Sequence, residues 1–128
     1  MKKVCMCLIL CLVILLLVVP ASAKNEVKES PEEGQVEVKF TCDQYLDAQA
    51  VHVAGEFNDW QATSKDWQMK KKNGVWTITK KLAQGTEYQY KFTISKGEKV
   101  KWIKDKAAEK FKEDGFGGKN SVVVTKIK

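Results

Sequence analysis

An antiparallel β-sandwich of about seven strands is the fold predicted here, and three observations carry the prediction. Two segments alternate apolar and polar residues without a slip. In one, Val36, Val38, Phe40 and Cys42 oppose Glu37, Lys39 and Thr41; in the other, Tyr88, Tyr90, Phe92 and Ile94 oppose Glu87, Gln89, Lys91 and Thr93. That is the period-two signature of strands with one buried face. Turn formers recur between such segments, most clearly Asn73-Gly74, whose residues suit the positive φ values of a two-residue hairpin. Past the N-terminal segment, no apolar run repeats at the 3.6-residue period of a buried helix.

The 128 residues suffice for one domain. Residues 1–23 read as a secretory signal: Lys2 and Lys3 precede an apolar run from Val4 to Val19, Pro20 breaks it, and Ala21-Ser22-Ala23 is a small-x-small cleavage site. The apolar run is shorter than the roughly 20 residues of a membrane span, and no cysteine follows a leucine and two small residues, as a lipid anchor requires. Cleavage near Ala23 implies an exported protein, periplasmic or extracellular, with no membrane attachment afterwards. Residues 24–34 are charged, contain Pro31 and lack an apolar period, the composition of a flexible linker. The folded domain is expected over 35–128.

Within it, the strand Val36–Cys42 is followed by a loop to Gln49, then by Val51-His52-Val53-Ala54, which Gly55 ends. Asn58 and Asp59 are turn formers, and Trp60 lies just beyond them. Trp67-Gln68-Met69 reads as a short edge strand. A strand from Val75 to Leu82 carries Trp76, Ile78 and Leu82 on one face, and the Tyr88–Ile94 strand follows. Lys99–Ile103 returns across Ser95-Lys96-Gly97-Glu98 with Val100 and Trp102 on one face. Lys104 to Asp114 breaks the rhythm and reads as a long loop. The glycine-rich Gly115-Phe116-Gly117-Gly118 leads into a last strand from Asn120 to Ile127.

Composition excludes several functions. The net charge of +6 is carried by lysine alone, interleaved with acids as in Glu109-Lys110-Phe111-Lys112-Glu113. Nucleic-acid sites favour arginine forks and a concentrated patch, so a solvated surface is expected. Cys5, Cys7 and Cys11 leave with the signal, and Cys42 then reads as a small buried hydrophobe. No metal-ligand spacing, cofactor motif or nucleophile–base pair appears. Hydrolysis by paired carboxylates needs two of them opposed over a cleft; Asp59, Asp66 and Asp105 sit in turns or loops where solvation is role enough. A catalyst is not expected.

The stretch Val51-His52-Val53-Ala54-Gly55-Glu56-Phe57-Asn58-Asp59-Trp60 resembles the opening signature of the glycogen-binding domain of the AMP-activated protein kinase β-subunit, a member of carbohydrate-binding module family 48. The likeness continues in order through Gly74-Val75-Trp76, Tyr90-Lys91-Phe92, Trp102 and Gly115-Phe116-Gly117-Gly118-Lys119-Asn120, covering about Val51 to Ile127. The resemblance implies an immunoglobulin-like, early-set sandwich that binds α-glucan through Trp60, Lys91, Trp102 and Asn120, with Phe116 standing where the family often has a wedging leucine. Two departures accompany it. Trp102 is followed by Ile103-Lys104-Asp105-Lys106 rather than Asp-Pro, and, where such domains are usually attached to a glucan-processing enzyme or a kinase complex, this one is expected to stand behind a signal segment.

Taken singly, each residue has a plainer reading. Trp60 caps the sandwich, Trp102 belongs to the core, Lys91 is a surface lysine, and Asn120 opens a strand. The ordered set shifts all four toward a sugar site with free indole faces and a free Lys91 ammonium. The alternative is an exported immunoglobulin-like module that binds a protein, such as a glucan-active enzyme, through strand edges and exposed tryptophans.

Overall fold

The computed structural model describes residues 25–126; the signal segment and Ile127 lie outside them. Two antiparallel sheets face each other in an immunoglobulin-like sandwich. One has the order β1-β2-β5-β4, formed by Glu26–Glu29, Gln35–Cys42, Val75–Ala83 and Lys70–Lys72. The other has the order β3-β6-β9-β8, formed by Ala50–Gly55, Glu87–Lys96, Lys119–Val124 and Lys110–Glu113, with β7 (Lys99–Ile103) also paired to β6.

The alternating residues meet between the sheets. Val36, Val38 and Phe40 from β2 pack with Val51 and Val53 from β3 and Tyr90, Phe92 and Ile94 from β6. Phe40 and Tyr90 touch edge to face with centroids 5.1 Å apart, a favoured aromatic geometry. Cys42 is a free thiol in this core, and burial pushes it up to about 11, in keeping with an inert apolar role.

Three expectations need correction. Residues 24–34 are not simply a linker: Glu26–Glu29 is a strand that pairs with β2, and its register sets Val27 opposite Val38 and against the core. The span 104–114 is not all loop, because Lys110–Glu113 pairs with β9. Both strands are polar edges with a ladder on one side only, so backbone bonding forms them with almost no apolar pattern. Finally, Trp67 ends a 3-10 turn rather than lying in a strand, and the edge strand forms three residues later than the aromatic suggests, at Lys70–Lys72. The Trp67 ring stacks on Phe57 at 4.4 Å with planes 9° apart, a contact a period-two reading does not see. These two additional edges raise the count to nine strands among the described residues.

Candidate ligand-binding groove

The outer face of the second sheet is set by register. Ala54 pairs with Lys91 and His52 with Thr93 across β3 and β6, while Thr93 pairs with Trp102 on β7. Lys91, Thr93 and Trp102 therefore point to the side away from the core, where Thr93 is covered and donates to the Ala62 carbonyl at 2.6 Å. Tyr90 pairs with Ser121, which brings Asn120 beside Lys91 on that surface.

A tight turn delivers Trp60 to the same place. Gly55 leaves no room for a side chain: a Cβ there would stand 2.6 Å from the Gln89 carbonyl oxygen and 2.8 Å from the Tyr90 Cβ. Beyond it, the Asn58 carboxamide oxygen accepts from the Gly55 N–H and its Nδ2 donates to the Val53 carbonyl, each at 3.0 Å. The Trp60 N–H returns to the Gly55 carbonyl at 2.9 Å. Asp59 and Trp60 are both left-handed, with φ 56° and 57°. For a bulky indole that conformation is strained, and it is held by these bonds and by Phe57, which packs beneath the turn against Phe40, Tyr88 and Tyr90.

The glycine-rich loop between β8 and β9 is built on Asp114. Its Oδ1 accepts from the Phe116 N–H at 2.7 Å and the Gly118 N–H at 3.0 Å, and its Oδ2 accepts from Lys91 Nζ at 2.6 Å. Lys91 and the two N–H donors hold the Asp114 carboxyl down at about 2. Phe116 is lifted to the loop tip, 93% exposed.

Trp60, Lys91, Trp102, Phe116 and Asn120 line a single groove of about 580 Å³. All five residues selected from the sequence are thus brought together. Trp102 is 42% exposed and Trp60 half-buried, so neither indole is lost to the core. Two details differ from expectation. The Lys91 ammonium is not free but bound to Asp114, with donors to spare. Asn120 is buried, and its Nδ2 donates to Gln89 Oε1 at 3.0 Å.

Three further residues line the groove: Glu56, Gln89 and Asp114. Glu56 Oε1 accepts from the Gln89 N–H at 2.8 Å. Gln89 was within reach of the period-two rule, lying two positions before Lys91 on the same face. Asp114, ahead of a glycine, carried the signal of an Asx-type turn; Glu56 carried none. Asp105 also departs from expectation. It is not solvated but buried, and it accepts the Tyr90 hydroxyl at 2.6 Å.

The profile of carbohydrate-binding module 48 (isoamylase N-terminal domain) matches residues 29–108. The 1,4-alpha-glucan branching enzyme GlgB of Fusobacterium nucleatum subsp. nucleatum is 42% identical over 55 residues, 41% of this chain and 9% of that protein. Two crystal structures of the enterobactin esterase FES from Shigella flexneri share the fold. The one with enterobactin has a TM-score of 0.65 at 15% identity, and the one with 2,3-di-hydroxy-N-benzoyl-serine 0.61 at 14%. They are covered over 80% and 81% of this chain and 33% of theirs. At such identity the likeness shows the fold alone, and the chain spans a small part of every relative named.

Proposed function

This chain belongs to the carbohydrate-binding module 48 family, and from that premise we propose that it binds α-1,4-glucan without acting on it, as an exported module. The observation that carries the proposal is the groove itself: the rings of Trp60, Trp102 and Phe116 share one concavity with Lys91, Gln89, Asn120 and two carboxylates. A pyranose presents a flat face of C–H groups and a rim of hydroxyls. Indole faces suit the first, and groups that donate and accept suit the second. If each tryptophan covers about 50 Å² of sugar face, each contributes roughly 1 kcal/mol at ~25 cal/mol/Å². Net of ordering costs, a Kd of about 10⁻⁶ to 10⁻³ M is expected, and repeated sites on a polymer raise the effective concentration.

Glu56 and Asp114 supply two carboxylates to the groove. Asp114 is a poor general acid because it is held ionised by Lys91 and committed to two loop N–H groups. That favours a binding role over hydrolysis. A glucan-processing enzyme is a natural partner, since a relative with matching sequence is a branching enzyme.

The test is native electrophoresis through gels containing glycogen or amylopectin. Retardation that is lost in Trp60→Ala and Trp102→Ala supports the proposal. Unchanged mobility of the native protein favours the protein-binding alternative.

A further inference from the structure

A second groove, of about 550 Å³, lies where β4 and β5 meet the 3-10 turn Lys65–Trp67, and it shares no residue with the first. Five lysines line it: Lys65, Lys70, Lys71, Lys72 and Lys80. Asp66 is the one acidic residue beside them, and among the described residues none of the five ammonium groups lies within 4.0 Å of a carboxylate. Elsewhere Lys81, Lys91, Lys96, Lys110 and Lys112 each meet a carboxylate.

Edge protection explains part of the cluster, since lysines on an outermost strand such as β4 discourage pairing with another chain. It does not explain why Lys65 and Lys80 converge on the same groove from other elements. One ammonium group is also pre-positioned. Lys80 Nζ donates to the Asp66 carbonyl at 2.8 Å and sits 4.8 Å from the Trp67 ring centre, whereas Lys71 follows its partner Trp76 to the opposite face of the strand from Lys70 and Lys72, with its Nζ 5.5 Å from that ring centre. Like charges gathered this way repel one another and lower the cost of bringing in an anion. Gln68, Thr77 and Thr79 add neutral donors along the wall.

We propose that this groove is a second binding site, for closely spaced phosphate groups on a soluble chain. Lysine ammoniums are point charges rather than planar forks, so they match the density of negative charge more than the shape of one group. Phosphate oxygens accept from ammonium and hydroxyl donors alike. The site is concave, which suits a narrow chain over a flat bilayer. It stands independently of the glucan groove.

The probe is inorganic tripolyphosphate, titrated into the purified protein at low ionic strength and followed by backbone amide shifts and calorimetry. Shifts should centre on Lys65, Lys70–Lys72, Thr77 and Thr79. The triple variant Lys65→Gln, Lys70→Gln, Lys72→Gln should bind about tenfold more weakly, with a fewfold loss per exposed lysine. A control of equal charge change, Lys99→Gln, Lys106→Gln, Lys119→Gln, should bind as the native protein does, and a folded amide spectrum excludes misfolding as the cause. Equal weakening in both triples, shifts spread over the surface, polyglutamate binding as tightly as tripolyphosphate, or binding only to phosphatidylglycerol vesicles would each overturn the proposal.

Discussion

Lys91 Nζ and Asp114 Oδ2 lie 2.6 Å apart, joining the central strand of one sheet to the loop that carries Phe116. The pair is largely shielded, with side-chain exposures of 18% and 8%. Its consequence is mechanical as well as electrostatic: the same carboxylate that orients the ammonium also folds the loop through its other oxygen.

Replacing that carboxylate should therefore weaken glucan retention without unfolding the sandwich. In Asp114→Asn a carbonyl can still receive the loop N–H groups, but an amide NH2 then faces the Lys91 ammonium. The native Asp114 sits at about 2, below the ordinary 3.8. Its bonds are intact above the ordinary value and are lost as pH falls toward about 2. Sedimentation with insoluble starch should stay level down to about pH 3 and decline as pH approaches about 2, while the variant binds a fewfold more weakly at neutral pH and lacks the step. Tryptophan fluorescence separates this from acid unfolding. Superimposable profiles would remove Asp114 from the site.

Trp60→Ala and Trp102→Ala should each weaken retention about fivefold, the factor for roughly 1 kcal/mol of lost sugar-face contact. The double variant should lose both factors. Thermal stability should change little for Trp102, which is 42% exposed. A Trp102 variant that melts much earlier would mark that ring as structural.

Gly55→Ala tests the turn beneath Trp60. The added methyl meets backbone and Cβ atoms on β6 at 2.6 and 2.8 Å, and these cannot move independently of the sheet. A loss of about 1–3 kcal/mol is expected, lowering Tm by about 5 °C or more on differential scanning calorimetry. An unchanged Tm would mean that β3 and β6 are less tightly apposed than described.

The buried carboxylate of Asp105 gives a different pH signature. It accepts the Tyr90 hydroxyl at 2.6 Å and the Ala107 N–H at 3.0 Å, and the Tyr90 hydroxyl also accepts from Asn25 Nδ2 at 2.6 Å. Burial nonetheless raises the Asp105 carboxyl above its ordinary 3.8, the Tyr90 and Ala107 bonds opposing it. The stability this shift contributes is fully present below 3.8 and is lost as pH rises through the elevated folded value. Asp105→Asn keeps an acceptor and should remove that pH dependence. Asp105→Ala should cost about 1–3 kcal/mol at any pH by stripping Tyr90 of its acceptor. Parallel urea melts across pH 4 to 7 distinguish the two; identical slopes in native and Asn proteins would contradict the burial.

Period-two alternation revealed β2, β3, β5 and β6 because each of those strands must bury one face. It was silent on β1 and β8, whose reason to form is a neighbour's unpaired backbone. Trp67 misled for a related reason: a large apolar ring implies burial, and here burial comes from stacking on Phe57 in a turn.

The site divides along the same line. Residue types and their order were enough to select Trp60, Lys91, Trp102, Phe116 and Asn120, because a flat apolar plate and a two-way hydrogen-bonding amide are chemical properties carried by the side chain itself. Their convergence in one groove, the pairing of Lys91 with Asp114, the burial of Asp105 and the gathering of five lysines around β4 came only with the tertiary fold. Contacts of this kind join residues distant in the chain, and no local pattern of polarity encodes which strand will lie beside which.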